Sequence, residues 1–520
     1  MGGAQARGVA RPALLPRVDH LWALLPLAIF GVFLALAPTE PHDFWWHLRV
    51  GQIVAEEGIP RTNRFAWTLP ADAPFVYAAW LADWLSYQSY RALGLQGPVL
   101  LRNMLGIAGF ALVMLEARRR SGSWRLAGLA VLLAGAVSIN NLSTRPQNVA
   151  WVLFAATALL LGAYVGRQIR ARALLLLPLL MLVWVNAHGS FVLGLVLVAL
   201  FAAGETARHL LGHAAALGRR ELVRLYLAGA ACLAATLANP VGPGIFGYVL
   251  RLLTDPPSQS LVNEWQPPTT RSLAGALFFL SVLALVAALA LGRRRPSITD
   301  ALLVCAFLWL ACSGMRYVVW FGMLAMPVLA QCLARDARGV GGTPAPRRSA
   351  AGEARPAGEA ALSAVIVLLL AGGVVAVQPP FKAALGLPDA YRSAFAPVPG
   401  AELLYSAETP VGAAEYLRRA PAEGRLFNDM AYGSYLIWAV PGQQVFVDPR
   451  VELFPLALWQ DYLAIAEARG YSDLLIDTYD VERVLLSRAG QPRLAAALAA
   501  DPRWRLEYAD EVAEVYRRAR

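Results

Sequence analysis

About eleven apolar stretches recur along this chain, and they leave it few ways to fold in water. They run Leu21 to Ala37, Pro98 to Ala117, Trp124 to Asn140, Asn148 to Val165, Ala173 to Asn186, Phe191 to Ala207, Leu222 to Ala238, Leu273 to Leu291, Ile298 to Ser313, Tyr317 to Ala334 and Ala361 to Val377. Each approaches the roughly 20 residues a helix needs to cross the hydrocarbon core. Lipid cannot solvate peptide groups, so such stretches must close their own hydrogen bonds as helices. Composition agrees, with 58% hydrophobic and only 16% charged residues over 520, where a soluble domain carries about a quarter charged. All four cysteines (Cys232, Cys305, Cys312, Cys332) fall inside apolar runs, which argues against a disulfide framework or a Cys-based metal site. The chain carries no P-loop, dinucleotide fingerprint or solenoid repeat.

The net charge of +11 in such a chain reflects cytoplasmic loops rather than a nucleic-acid surface. Arg7, Arg11 and Arg17 precede the first run, which ends in Ala35-Leu36-Ala37 like a signal-peptide cleavage site. Pro38 follows at once and the run is long enough to span, so we read a retained first helix. The segment Ala78 to Gly94, with Trp80, Trp84 and Tyr87, suits either a span or an interfacial helix. If it crossed, Arg118-Arg119-Arg120 and every later basic loop would lie outside, against the positive-inside rule. It is therefore expected to lie flat.

This threading predicts a cytoplasmic tail at 1–20, a transmembrane domain at 21–338 with its first outer loop at 38–97, a disordered Gly/Pro/Arg-rich cytoplasmic linker at 339–360, a last span at 361–378, and an extracytoplasmic α/β domain at 379–520. In that last region β-like runs (Arg425 to Asn428, Gln444 to Val447, Val481 to Ser487, Trp504 to Tyr508, Glu511 to Arg517) alternate with helical ones (Gly412 to Arg419, Leu456 to Arg469, Arg493 to Ala499).

The first outer loop begins Pro38-Thr39-Glu40-Pro41-His42-Asp43-Phe44-Trp45-Trp46-His47-Leu48. An acid, two histidines and paired tryptophans thus stand where the first helix leaves the bilayer, at the depth of lipid headgroups. Asp43 is positioned to act on something held in the membrane surface, or else simply caps the following helix while the tryptophans form an aromatic belt.

Here the sequence resembles the GT-C superfamily of membrane glycosyltransferases, which includes protein mannosyltransferases and bacterial aminoarabinose transferases, and more narrowly a bacterial GT-C-like group. The resemblance rests on Asp43-Phe-Trp-Trp-His-Leu-Arg-Val-Gly51, Ile59-Pro-Arg-Thr-Asn-Arg-Phe-Ala-Trp-Thr68, Trp80-Leu-Ala-Asp83, Thr144-Arg-Pro146, Trp184-Val-Asn-Ala-His-Gly189, Asn239-Pro-Val-Gly242, Asn263-Glu-Trp-Gln-Pro267 and Phe427-Asn-Asp-Met-Ala-Tyr-Gly433. It implies a polytopic α-helical membrane protein of GT-C-like fold, with about 11 transmembrane helices running N-in to C-out and a C-terminal extracytoplasmic α/β domain. It also implies an inverting transfer of sugar from a polyprenyl-phosphate donor to a glycan, lipid or protein acceptor. Carried over by motif, the general base falls on Asp43, with Asp83 a second acid. A carboxylate suits the role because a sugar hydroxyl attacks poorly until its proton has somewhere to go.

The leaving phosphate calls for positive charge on the outer side, where Arg102, Arg145, Arg251 and Arg316 are the candidates; snorkelling to headgroups is the ordinary alternative. Trp45, Trp46, His47, Asn186, His188, Glu264 and Trp265 complete the candidate substrate-binding set, the indole of Trp265 being suited to stack on a sugar. His42, Asp43 and His47 are also competent ligands for a divalent metal, but their spacing does not put them on one helical face, and no metal site is assigned. In the C-terminal region Asp429 and Asp448 each follow a strand-like run, and Asp448-Pro449-Arg450 suits either a polar acceptor rim or an ordinary turn. A transporter is disfavoured because the ionisable residues gather at the outer rim rather than the midplane. A non-catalytic envelope scaffold of the same fold stands as the alternative.

Overall fold

The computed structural model describes residues 18–334, 357–384, 405–421 and 424–519. The tail expected at 1–20 and the linker expected at 339–360 fall almost wholly outside these residues. The chain opens with α1 (Val18–Leu36), two helices of the first loop, α2 (Phe44–Glu56) and α3 (Trp80–Leu93), and the long α4 (Gln96–Ser121). There follow α5 (Trp124–Val137), α6 (Gln147–Val165), α7 (Leu176–Ala187), α8 (Phe191–Leu210), α9 (Arg219–Ala235), α10 (Gly244–Thr254) and α11 (Pro256–Leu261). The helical body closes with α12 (Leu273–Leu291), α13 (Ile298–Ser313), α14 (Val318–Leu333), α15 (Ala357–Ala376) and α16 (Pro379–Ala384).

Among the described residues six helices are long and apolar enough to cross a membrane, and five shorter ones are comparably apolar. Each expected run falls on a helix. Two differences matter: α9 carries Arg219, Arg220, Glu221 and Arg224 in its first turns and is the least apolar of the expected set, while α10 is an apolar helix where a loop was expected. Local signals set the ends. Gly122 terminates α4 at φ +74°, a conformation glycine adopts without steric cost, and Ser123 then caps α5 by accepting from the Leu126 amide.

α14 forms the centre of the body, with almost every side chain buried against α4, α5, α12 and α13. α12 lies at the periphery, where Leu273, Leu280, Leu283, Val286 and Leu291 stand exposed. Apolar surface on that scale belongs in lipid rather than water. The chain is a multi-pass membrane protein.

The C-terminal part builds a four-stranded sheet of β1 (Arg425–Asn428), β2 (Val481–Ser487), β3 (Trp504–Ala509) and β4 (Ala513–Arg518) in the order β1-β2-β4-β3. β1 and β2 are parallel; the other pairs are antiparallel. Helices α17 (Val411–Arg419), α18 (Met430–Ala439), α19 (Leu456–Ala466) and α20 (Pro492–Ala500) accompany it. Gln444 to Val447, expected as a strand, lies outside this sheet. Its backbone is spent on the first loop instead: Val445 and Ala66 form a parallel bridge, with Trp67 N donating to Val445 O (3.1 Å) and Val445 N to Phe65 O (2.9 Å).

That pairing reflects a larger fact. Trp45, Trp46, Leu48 and Phe65 of the first loop share one continuous apolar core with Phe427, Leu436, Phe446 and Val484 of the C-terminal part. A second core runs through the helical body. The first loop is thus packed with the distant C-terminal region, leaving its acid at the seam between the two cores.

Candidate active site

Asp43 stands at the N-cap position of α2, where its carbonyl accepts from the His47 amide (3.3 Å), yet its side chain caps no backbone amide of the helix. Capping, the ordinary reason for an acid there, is not what it does. Its carboxylate turns to Arg145, with Nη2 to Oδ2 at 2.9 Å, and Arg145 also meets Glu264 through Nη1 and Oε1 at 2.5 Å. One guanidinium from the loop before α6 therefore holds acids from two other loops. Burial pushes the Asp43 carboxyl upward in pKa, but Arg145, with smaller contributions from His42, His47 and Trp46, outweighs it and holds the group below the usual carboxylate range. The Trp46 indole nitrogen lacks a partner at ordinary hydrogen-bond geometry, so we assign it the smallest share. Arg145 is raised in turn by the two acids, against its burial.

Arg145 is placed from behind. Its own amide donates to the Asn148 side chain (3.0 Å). Arg102 lies fully buried inside α4 and donates to Leu142 O (3.4 Å), Thr144 Oγ1 (3.2 Å), Ala37 O (3.1 Å) and Leu34 O. Arg102 thus ties the end of the first helix to the Arg145 loop, and its donors are spent on protein rather than open to a phosphate.

α2 and α3 touch backbone to backbone at Gly51, where a Cβ would fall 2.1 Å from the Asp83 carbonyl. That approach, one turn on from His47, lets His47 Nδ1 meet Asp83 Oδ1 at 2.8 Å. Asp83 is 1% exposed and its pKa is raised by burial, with His47 opposing. A neutral His47 ring that donates its Nδ1 proton to this carboxylate presents the Nε2 lone pair as an acceptor. His47 also stacks on Trp46, centroids 3.6 Å apart. Asp83 reaches the site only through His47.

Across the site, His188 ends α7. Its Nδ1 accepts from the Ser190 amide (3.1 Å) and faces the Ser190 hydroxyl (2.8 Å), which accepts from the Trp184 indole (3.1 Å). The ring proton is thereby fixed on Nε2. Burial, then the fields of Arg316, His47 and Arg145, hold His188 down at about 3, so this imidazole is neutral at physiological pH. Asn186 accepts from the Trp80 indole (2.9 Å) and donates to Leu182 O and Ala238 O, a structural role. Arg316 lies over the face of Trp265, 4.2 Å from the ring centroid, and meets no carboxylate among the described residues. Trp265 is thereby occupied by a cation rather than open for stacking. Arg316 is the site's uncommitted positive charge.

Arg251 stands apart from this cluster on α10, lining an adjoining cavity of about 640 Å³ with Arg61, Trp80, Tyr248, Asp255 and Glu452. Tyr248 donates to Glu452 (3.2 Å), closing the cavity between α10 and the C-terminal part. Trp45 is buried, giving its indole N–H to Glu40 O (3.0 Å) and packing against Tyr405 and Tyr435. His42, Asp43 and His47 do not converge, and among the described residues no group of three His, Cys, Asp or Glu is arranged to hold a metal.

Sequence reasoning missed the device that fixes Asp43. Ser434 of α18 donates to His42 O (3.0 Å) and accepts from the Trp46 amide (3.1 Å), gripping the chain on both sides of the acid. The Phe427 to Gly433 stretch, which carries part of the family resemblance, runs into this helix, a helix not expected from the sequence, and nothing in the sequence joins residue 434 to residue 43. Asp448 and Arg450, expected as a polar rim or a turn, are fully buried and paired with each other (2.8 and 2.6 Å), with Arg450 facing Phe65, Phe75 and Trp46. The rim expectation is corrected: the pair is an internal bolt between the C-terminal part and the first loop.

The fold of this chain is shared by GT-C glycosyltransferases of solved structure. The chain is similar to the archaeal oligosaccharyltransferase AglB from Archaeoglobus fulgidus, in complex with an inhibitory peptide and a dolichol-phosphate (11% identity, TM-score 0.53, covering 96% of this chain and 74% of that one). It is also similar to ArnT from Cupriavidus metallidurans bound to undecaprenyl phosphate (17%, TM-score 0.51, 95% and 97%), and to the arabinofuranosyltransferase AftD from Mycobacteria (13%, TM-score 0.53, 97% and 42%). No family model and no curated protein matches the sequence.

Proposed function

We propose that this chain is a GT-C glycosyltransferase of a bacterial inner membrane. It moves a sugar, with inversion, from a polyprenyl-phosphate donor to an envelope acceptor on the extracytoplasmic face. The observation that carries the reading is the turning of Asp43 away from its own helix onto Arg145. The phosphate-bearing lipids bound by the neighbours AglB and ArnT support the donor class.

In the reaction the acceptor oxygen forms a bond to the anomeric carbon as the bond from that carbon to the donor's phosphate oxygen breaks. The hydroxyl proton passes to the Asp43 carboxylate, and the departing phosphate takes the electron pair. Arg316 meets the phosphate first because no acid competes for it. Arg145 follows, exchanging carboxylate for phosphate, and its departure restores basicity to Asp43 as the proton must move. His188 offers its Nε2–H to a sugar or phosphate oxygen.

The apolar core shared by the first loop and the C-terminal part supports placing both on one face of the membrane. Reading α4, α5, α6, α7, α8, α9, α12, α13, α14 and α15 as spans puts ten crossings between them, an even number, and α1 makes eleven. Basic loops on the opposite face support an extracytoplasmic site.

A second reading is favoured by one observation: Asp43 is ion-paired and held acidic, whereas His47 pairs through Nδ1 with Asp83 (2.8 Å) and has its other ring nitrogen to offer. The base is then His47 and Asp43 orients the acceptor. Purified wild type, Asp43→Asn and His47→Gln should be followed for sugar release from polyprenyl-phosphate donors. Loss of about 10²–10⁴-fold in Asp43→Asn, with His47→Gln milder, supports Asp43 as base; the reverse order assigns His47. A wild type that carries polyprenyl phosphate yet turns over no donor points to the scaffold alternative.

A further inference from the structure

On the face opposite the candidate site lies a second cavity, of about 360 Å³. α6 links the two faces, with Arg145 just before its start and Gly162 and Gly166 at its far end. At 1.5 Å per residue its 19 residues separate the faces by roughly 28 Å. The cavity wall presents four arginines, Arg119, Arg120, Arg167 and Arg208, with the hydroxyl residues Ser297 and Thr299, the amide of Gln331 and a single acid, Asp300.

The carboxylates are saturated. Glu116 accepts from Arg119 Nε and Nη2 and from Arg120 Nε; Glu205 accepts from Arg208 Nη1, Thr299 Oγ1 and the Leu217 amide; Glu221 accepts from Arg167 Nε and Nη2 and the Gly218 amide. Asp300 accepts from Arg120 Nη1 and from Ser297. Glu116, Glu205 and Glu221 stand outside the cavity lining, so the acids hold the guanidiniums in place from behind. The guanidiniums are not saturated. Arg119 Nη1, Arg120 Nη2, Arg167 Nη1 and Arg208 Nη2 have no acceptor among the described residues. Gly162 makes room for this arrangement, since a Cβ there would fall 2.5 Å from Arg119 Nη2. A cavity with fixed cationic donors to spare and filled carboxylates asks for an anion rich in acceptors, and planar guanidinium forks match phosphate oxygens.

We infer that this cavity is a binding site for a phosphate group, presented as the headgroup of an anionic phospholipid or as a free phosphate, on the membrane face opposite the proposed transfer site. It stands independently of the transferase reading. The lipid source is favoured by position, because the lining comes from the ends of α4, α6, α8, α13 and α14, where the helical body meets the membrane surface.

The full-length protein should be compared with Arg167→Gln and Ala215→Trp. Arg167 is half-exposed and Ala215 is exposed on the lining, so both variants keep the buried pairs intact, and the tryptophan fills the cavity without changing charge. In nanodiscs of mixed phosphatidylglycerol and phosphatidylcholine, native mass spectrometry should find wild type retaining phosphatidylglycerol about fivefold better than either variant, the effect of about one arginine near a lipid surface. Phosphatidylcholine retention should not change. If instead only inorganic phosphate, against matched chloride, stabilises wild type more than both variants, the ligand is the free anion. If wild type and both variants retain phosphatidylglycerol equally and respond equally to inorganic phosphate, the inference is overturned.

Discussion

Replacing Arg450 by Met should release the first loop from the C-terminal part. The Arg450 and Asp448 side chains are 0% exposed and bonded through two parallel contacts. Losing the guanidinium leaves a carboxylate in a dry interior with only the residue-450 amide as donor, and breaking a buried pair in this way costs about 3–5 kcal/mol. The cation also lies 4.9 Å from Phe65, 5.2 Å from Phe75 and 5.9 Å from Trp46, all on the first loop. Those ring contacts, together with the Arg450 donor to Tyr77 (3.3 Å), make the loss fall on the seam as well as within the C-terminal part. At 1.4 kcal/mol per decade, exchange through opening of the seam should quicken by about two to three and a half decades. The reporters are the Trp67 and Val445 amides, which bond across it, followed by hydrogen exchange mass spectrometry in micelles. Adding Asp448→Asn should recover most of the loss, because the uncompensated charge is its main source. If exchange at residues 65–67 and 445 stays at the wild-type rate, the bolt is not what docks the loop.

Three further outcomes test the site itself. Arg145→Gln removes the main group holding Asp43 acidic; if activity needs the Asp43 carboxylate ionised, the acid limb of the pH–rate profile should move to higher pH, and an unmoved limb would detach Asp43 from the titration. Gly51→Val should force α2 off α3, costing more than about 2 kcal/mol by overpacking and breaking the His47–Asp83 contact, read as a lower melting temperature with loss of the His47 environment in NMR. His188 is lowered from 6.5 to about 3 in the fold, so the unfolded chain binds a proton the native protein refuses between those values. Stability from this group is therefore full above pH 6.5 and declines as pH falls toward 3, and His188→Asn should flatten that part of a stability–pH curve.

The sequence alone determined that this chain lives in lipid. Runs such as Leu273 to Leu291 satisfy their backbones only as helices, and their side chains have no better solvent. It also marked the first loop, because an aspartate, two histidines and paired tryptophans gather where the first span ends. What it left open were relations between residues far apart in the chain. Asp43 looked equally suited to capping its own helix, and only the arrival of Arg145 about a hundred residues on, with Glu264 beyond it, decided where the carboxylate turns. Arg102 and Arg145 read alike as outer-side cations, yet one is consumed by backbone carbonyls and the other by acids. The Gln444 to Val447 run was extended, as its residues prefer, but its strand partner is the first loop rather than the sheet. Periodicity and charge are local and can be read along the chain. Ion pairs, shared cores and a serine gripping the backbone on both sides of an acid exist only once distant segments are packed together.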